Sequence, residues 1–225
     1  METKKQNNKA KILVLFYSFT GNTAKLAEEV AIGAGSVSGI EVEIKQVPEM
    51  FEKSFYKDKP ELKKIRDDLE KKYKTAAIED LENADGVAFG SPTHFGSFAS
   101  QLKQFIDQLS GDWLKGRLVN KPAAVFCSSG SLHGGEELTL LSMMIPFFNL
   151  GMIPVGIPYP IQSEGPGFDA GSPYGAIFVA KKGKTIDADD KKAARVLGVR
   201  LAAMAKLMKC GCEHCGVCYD LMKKQ

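Results

Sequence analysis

The sequence predicts an α/β protein in which a doubly wound parallel sheet is covered by helices on both faces. Apolar runs of strand length recur along the chain, and stretches with an apolar period of about 3.6 residues lie between them. Strands that alternate with helices form βαβ units and a parallel sheet. We therefore expect one domain with five strands, at residues 11–17, 40–47, 86–91, 122–129 and 151–158.

Three stretches carry the helical pattern. Residues 22–34 and 98–109 place apolar side chains three or four positions apart, which is typical of a helix with one buried face. A third helix is expected after Asp187, because aspartate is a favourable N-cap residue. Its apolar face would be Leu197, Leu201, Met204, Ala205 and Met208.

Four segments fall outside this alternation. Residues 1–10 form a polar tail, and residues 48–77 form a charged insertion that we expect to hold a solvated helix. Residues 158–175 are rich in glycine and proline and too long for a simple connection, so we expect a functional loop there. Residues 209–225 form a cysteine-rich tail. The predicted domain therefore spans residues 11–208.

The composition narrows the classes of function. The chain of 225 residues is 44% hydrophobic and 25% charged, with a formal net charge of +3. No apolar run reaches the roughly 20 residues that span a bilayer, and the lysines form no basic stripe that would favour nucleic acid. The cysteines are concentrated near the C-terminus instead of being spread as in a disulfide scaffold. We therefore expect a cytoplasmic protein.

The first predicted strand is followed by the residues YSFTGNT (17–23), which lead into the first helix. Gly21 permits a tight turn, and free N–H groups at a helix start bind anions. No lysine or arginine lies in this loop, so the pattern favours a phosphate monoester held by uncharged donors. A plain helix-capping turn explains the same residue types. The side-chain donors are Ser18, Thr20, Asn22 and Thr23.

Two further loops follow predicted strands at the same edge of the sheet. GSPTHFGS (90–97) offers the flat side chains of His94 and Phe95, and CSSGSLHGGEE (127–137) is rich in serine and glycine. Taken separately, the first is equally a turn with a satisfied histidine, and the second a flexible connection. Because the carboxyl ends of parallel strands meet at one edge, the three loops together predict a site for one planar, polar ligand with a phosphate.

These motifs resemble the WrbA family of NAD(P)H:quinone oxidoreductases. The resemblance runs from about residue 11 to residue 208. It implies a flavodoxin-like doubly wound sheet, noncovalently bound FMN, a homotetramer, and transfer of two electrons from NAD(P)H to a quinone. The sequence elements that carry it are YSFTGNT, GSPTHFG, FIDQLSGDWLKGRLVNKPAAVF, SSGSLHGGEE and GSPYGA.

The resemblance also implies roles for individual residues. The FMN phosphate would be bound by Ser18, Phe19, Thr20, Gly21, Asn22 and Thr23. The isoalloxazine ring would be lined by Pro92, Thr93, His94 and Phe95. The flavin or its ribityl chain would contact Ser128, Ser129, Gly130, Ser131, His133 and Gly134.

Two more positions follow from the same resemblance. Asn149 occupies a position where the family often has a histidine near the flavin, and Trp113 occupies one where an aromatic residue faces the substrate across a subunit boundary. A core or interface anchor is the alternative role for the tryptophan. His94 and His133 are candidates to assist quinone protonation, because histidine titrates near neutrality. No catalytic residue is required of the protein itself.

The tail places four cysteines in C-x-C-x2-C-x2-C spacing. Thiolates select zinc, Cu(I) or iron–sulfur centres, and a reduced tail without metal is the alternative. The candidate ligands are Cys210, Cys212, Cys215 and Cys218.

Two other functions compete with the quinone reductase. One is a flavodoxin-type electron carrier linked to a metal or iron–sulfur centre on the tail, although flavodoxins are usually acidic and this chain is not. The other is a flavin-free signalling domain on the same fold.

Overall fold

The computed structural model describes residues 9–162, 170–181 and 184–215. The eight strands are β1 (Ala10–Phe16), β2 (Ile40–Gln46), β3 (Lys74–Thr75), β4 (Gly86–His94), β5 (Ser97–Phe98), β6 (Pro122–Ser129), β7 (Ile153–Pro154) and β8 (Ala176–Val179). The helices are α1 (Asn22–Gly35), α2 (Pro60–Lys72), α3 (Ile78–Asn83), α4 (Ser100–Asp107), α5 (Ser110–Leu114), α6 (Glu136–Asn149), α7 (Tyr159–Gln162) and α8 (Ala188–Cys215). A 3₁₀ turn covers Lys53–Tyr56.

The long strands form a parallel sheet whose order reverses at β1. The order is β3-β2-β1-β4-β6-β7, with β8 also paired to β6 and β5 paired antiparallel to β4. The strands that follow β1 in the chain are thus added first on one side of it, as β2 and β3, and then on the other side, as β4 and β6. In sheets of this kind, ligands bind beyond the carboxyl ends of the strands at the point of reversal. That point lies between β1 and β4.

Both faces of the sheet are buried. Alternate residues of β1 point to opposite sides, with Leu13 and Leu15 in one apolar cluster and Ile12 and Val14 in the other. The first cluster contains side chains of α4 and α6, and the second contains side chains of α1 and α8. This confirms the predicted α/β class with helices on both faces.

The prediction of five strands is wrong. Within residues 9–162, 170–181 and 184–215 the sheet has eight strands, and β3, β5 and β7 have only two residues each. Such short strands are fixed by the neighbour they pair with, and they carry no apolar pattern of their own. The strand expected at residues 151–158 is only β7, and the chain returns to the same edge of β6 as β8.

Two expected helix starts agree with the structure. α1 begins at Asn22, and Asp187 caps α8 because its Oδ1 accepts the N–H groups of Asp189 at 3.1 Å and Asp190 at 3.0 Å. The expected helix in the charged insertion is α2. No helix in the described ranges is long and apolar enough to cross a membrane.

α1 and α8 run side by side on one face of the sheet. A Cβ on Gly198 would lie 2.0 Å from the carbonyl oxygen of Val30, so only glycine permits this approach. Toward its C-terminal end, α8 reaches the start of β1, where Lys209 Nζ donates to the carbonyl of Lys9 at 3.1 Å and pairs with Asp85 at 2.9 Å. The predicted tail from residue 209 therefore starts within α8, and residues 216–225 lie outside the described residues.

Candidate functional site

The first loop connects β1 to α1 and contains the predicted phosphate site. Gly21 is the N-cap of α1 and adopts a φ of 83°, a left-handed conformation that suits glycine. Ser18 is buried, and its Oγ accepts the N–H of Ala24 at 3.3 Å. The N–H groups of Gly21, Asn22 and Thr23 meet no acceptor among the described residues. They are therefore available to an anion at the positive end of the α1 dipole.

The second loop is a hairpin between β4 and β5. Thr93 pairs with Phe98 and His94 with Ser97, so Phe95 and Gly96 form a two-residue turn. Both have positive φ, 53° and 79°, as a type I′ turn requires. The turn leaves the Phe95 side chain fully exposed.

The base of this hairpin is held by Ser91, which is completely buried. Its Oγ accepts the N–H of Ala99 at 2.8 Å and donates to the carbonyl of Pro92 at 2.8 Å. The hairpin therefore has a fixed stem and an exposed tip.

The third loop connects β6 to α6. Ser128 and Ser129 are buried at its start, whereas Gly130, Ser131 and His133 are exposed. The buried Ser129 Oγ donates to the Glu136 carboxylate at 2.7 Å. The start of the loop is therefore fixed, and its middle, residues 130–133, is exposed.

Direct contacts join the third loop to the other two. The hydroxyls of Thr23 and Ser128 are 2.8 Å apart in a buried hydrogen bond between the first and third loops. The Thr93 Oγ1 donates to the Gly134 carbonyl at 3.4 Å and accepts from Thr139 at 2.8 Å. A Cβ on Gly135 would lie 2.8 Å from the Cα of Gly96.

The first and second loops contact each other through two planar side chains. Phe19 and His94 contact edge to face, with centroids 6.0 Å apart. Burial lowers the pKa of His94 below its ordinary value, so the imidazole is neutral at pH 7 and acts as a planar, uncharged surface. The three predicted loops thus form one contiguous site.

The residues of this site fit a flavin mononucleotide. A phosphate monoester needs several hydrogen-bond donors, and the first loop has free N–H groups beside the hydroxyls of Ser18, Thr20 and Thr23. A ring system needs flat neighbours, which His94 supplies. A Cβ added to Gly130 would lie more than 4 Å from every neighbouring atom of the described residues, so the exposed middle of the third loop borders open space.

Comparison with known proteins shows the family to which the chain belongs. Residues 10–166 match the model of the NADPH-dependent FMN reductase family. The chain belongs to this family. The matched range includes all three loops, and the prediction of an FMN-dependent oxidoreductase of the WrbA type is confirmed.

Two curated relatives are similar over most of their length. A protein of Archaeoglobus fulgidus named NAD(P)H dehydrogenase (quinone) is 45% identical over 197 residues, which cover 88% of this chain and 98% of the relative. A protein of Geotalea uraniireducens with the same name is 37% identical over 202 residues, 87% of this chain and 97% of the relative.

A solved structure has the same fold. The flavodoxin, WrbA-like protein from Agrobacterium tumefaciens superposes with a TM-score of 0.62 at 21% identity, over 88% of this chain and 98% of that one. The flavodoxin-like fold predicted for this member of the FMN reductase family is therefore confirmed.

An aromatic cluster beside the site was not anticipated from the sequence. Phe51 and Phe55 lie in the charged insertion and stack on each other with centroids 4.3 Å apart. Both rings contact Phe19 of the first loop, at 6.0 and 6.3 Å. The signal in the sequence is a pair of aromatic residues four positions apart, shortly after a strand. It was missed because most of the surrounding residues are lysines and acids.

Trp113 and Asn149 lie together, away from the three loops of the same chain. They border a groove of about 340 Å³ between α5 and the end of α6. α6 starts at the third loop and has 14 residues, so Asn149 is separated from that loop by roughly 20 Å. One chain therefore does not bring these two predicted residues to its own site.

The predicted metal ligands fall largely beyond what is described. Cys210 is exposed, and Cys218 lies outside the described residues, as do the side chains of Cys212 and Cys215. The backbone is helical through Cys215, which puts positions 210 and 212 about 200° apart around the helix. Within the described residues there is no group of His, Cys, Asp or Glu that could hold a metal ion.

Proposed function

We propose that this protein is an FMN-dependent enzyme that transfers two electrons from NAD(P)H to quinones. The net reaction converts NAD(P)H, one proton and a quinone to NAD(P)⁺ and the hydroquinone. The observation that carries the proposal is the joining of the three loops through the Thr23–Ser128 and Thr93–Gly134 hydrogen bonds. The names of the relatives, both NAD(P)H dehydrogenases of quinones, support this choice of substrates.

The residues of the first loop would bind the phosphate, and those of the other two would hold the ring. When bound, FMN supplies the redox chemistry, accepting two electrons as hydride and passing them on. The protein contributes the remaining requirements. Ser91 fixes the base of the hairpin through its bonds to Pro92 and Ala99, the neutral His94 presents a flat face, and the exposed Phe95 would cover one side of a bound ring.

The donor and the acceptor would occupy the same space in turn. This order of events gives ping-pong kinetics, with parallel lines in double-reciprocal plots of rate against NADH concentration at several quinone concentrations. Intersecting lines would show that both substrates bind together, and the mechanism would then be sequential.

We further propose that the protein is a homotetramer in which a neighbouring chain supplies Trp113 and Asn149. The proposal is supported by an apolar stripe on α6 that is exposed among the described residues, formed by Leu138, Leu141, Ile145 and Phe148. These residues recur at helical spacing on a face that a stable monomer would cover. Light scattering of the holoenzyme measures the mass, and a value of about one chain would exclude the assembly.

The cysteine tail adds a second proposed cofactor, zinc or an iron–sulfur cluster. Convergence of its four thiols requires the end of α8 to unwind, because the helix separates positions 210 and 212. Metal analysis of the purified protein beside a Cys212→Ser, Cys215→Ser variant tests it. Equal metal content in both proteins would exclude a metal centre on the tail.

An absorbance spectrum followed by an anaerobic titration tests the main proposal. We expect flavin bands that NADH bleaches and that a quinone restores. Bleaching only after addition of a separate reductase would identify an electron carrier. A protein that stays colourless after incubation with FMN would identify a flavin-free domain. A cytoplasmic location remains a prediction.

A further inference from the structure

Glu49 is the centre of a polar network directly behind the candidate site. Its side chain is only 11% exposed. The carboxylate accepts hydrogen bonds from the N–H of Met50 at 2.8 Å and of Phe51 at 3.1 Å. It also accepts from the hydroxyl of Tyr17 at 3.1 Å and of Tyr56 at 2.9 Å. A carboxylate with this many donors stays ionised and fixes the groups around it.

The network joins parts of the chain that are distant in sequence. Tyr17 immediately precedes the phosphate loop, and Gln101 lies at the start of α4, after the hairpin. The Gln101 Nε2 donates to the Tyr17 hydroxyl and to Glu49, each at 3.1 Å. Arg66 of α2 pairs with Glu49 at 3.5 Å. One largely buried anion thus connects the first loop, the start of α4 and the charged insertion.

The electrostatics of Glu49 agree with this geometry. Burial would raise its pKa, but the hydrogen bonds from the Phe51 N–H, Gln101, Tyr56 and the Met50 N–H outweigh burial and lower the pKa. The carboxylate is therefore charged throughout the neutral range. Its attraction for the six donors is always present under assay conditions.

Both ends of the aromatic segment are attached to this carboxylate. Phe51 is attached through its own N–H group, and Tyr56, next to Phe55, through its hydroxyl. The stacked rings of Phe51 and Phe55 continue through Phe19 to His94, each contact being within 6.3 Å. The outer ring, Phe51, remains 39% exposed. The result is a continuous aromatic surface that begins at the flavin-side hairpin and ends with a free face.

We propose that this aromatic surface binds the ring of the quinone, and that Glu49 is the positioning residue that holds Phe51 and Phe55 in it. The inference deepens the proposed function and rests on it. Planar apolar rings gain from offset or edge contacts with aromatic side chains beyond the area they bury. Fused-ring acceptors such as naphthoquinones would contact more of the surface than benzoquinones and bind more tightly.

The test compares acceptors that stack with one that does not. FMN-loaded Phe51→Leu and Glu49→Gln variants are assayed with 1,4-naphthoquinone and with ferricyanide, which has no apolar ring. We expect the KM for naphthoquinone to rise about 2- to 10-fold in both variants, by more than any change in kcat or in the ferricyanide rate. Glu43→Gln is the matched control, because that carboxylate is more than half exposed on β2, the strand that precedes Glu49.

A binding measurement gives the same comparison without turnover. Naphthoquinone is titrated calorimetrically into the oxidised holoenzyme in the absence of donor, and its Kd is expected to rise by the same factor. Unchanged Kd and KM in Phe51→Leu would overturn the binding surface. A change in Phe51→Leu alone would overturn the role of Glu49. Should Glu49→Gln fail to fold, Phe51→Leu still decides, because its ring is partly exposed.

The two proposals fail separately. If NADH does not bleach the wild-type flavin, the proposed function is wrong whatever the variants do. If the wild-type enzyme reduces quinones and both variants bind naphthoquinone normally, only this inference is wrong.

Discussion

The two ends of the central sheet differ in chemistry and in completeness. At the carboxyl end, three polar loops are joined by hydrogen bonds such as the buried contact of Thr23 with Ser128. At the amino end, beside the start of β6, Trp113 and Ile145 are more than half exposed around an apolar groove. At the carboxyl end the loops of one chain contact one another, whereas the apolar groove at the other end is exposed in the part of the chain that the structure describes.

Because the two ends differ, binding of the cofactor can be tested separately from assembly of the subunits and access of the substrate. Under the proposed function, cofactor binding would depend on the loops, whereas assembly and access of the substrate would depend on the apolar end. Substitutions at one end should therefore leave the other property intact.

The largest effect is expected from a charge on the apolar stripe. Ile145→Asp would bury a carboxylate in a subunit interface, at a cost above the roughly 2–7 kcal/mol of an unpaired neutral polar group. We expect the assembly to dissociate and quinone reduction to fall, while FMN affinity is retained. Light scattering and FMN titration on the same sample measure both, and Ile32→Asp, an exposed site on α1, is the control.

The next effect belongs to the carboxyl end. Thr23→Val removes the hydroxyl bonded to Ser128, which under the proposed function is also one donor for the phosphate. A hydrogen bond to a charged group contributes about 1.5–3 kcal/mol, so FMN affinity should fall roughly 10- to 100-fold. The assembly should persist. Thr75→Val is the matched control, because Thr75 is exposed at the edge of the sheet, and equal affinities of the two variants would contradict the proposed phosphate site.

A smaller effect is expected where the two ends would meet across subunits. Trp113→Leu keeps an apolar side chain but removes an aromatic face. The KM for quinone should rise by about 2- to 10-fold, with unchanged FMN affinity. Steady-state kinetics measures this change, and an unaltered KM would assign Trp113 to the interface alone.

The smallest effect concerns pH. The pKa of His94 is lowered by burial, so the unfolded state binds the proton more readily than the folded state. The neutral His94 is therefore tolerated near pH 7, and its destabilising effect grows as the pH falls below the ordinary value of about 6.5. The melting temperature of His94→Asn should exceed that of the wild type more at pH 5.5 than at pH 7.5.

The sequence predicts those parts whose signal is local. β1, the YSFTGNT loop and α1 agree with prediction because a buried run, a turn and a periodic helix follow one another within 26 residues, 10–35. The two-residue strands β3, β5 and β7 could not be predicted, since their pairing depends on the neighbouring strand. The return of the chain as β8 is likewise a tertiary feature.

The candidate site shows the same division. The polar loops were found because strand ends in a parallel sheet share one edge. Phe51 and Phe55 were missed because a charged segment gives no apolar period, and their contact with Phe19 exists only after folding. Whether Asn149 and Trp113 serve a neighbouring chain also depends on assembly, which no single chain encodes locally.

The course of α8 sets the position of the exposed Cys210. Lys209 contacts Lys9 at the start of β1, whereas the phosphate loop follows the end of that strand, roughly 23 Å away by strand length. Cys210, the next residue, therefore lies at the far end of the sheet from the candidate flavin site.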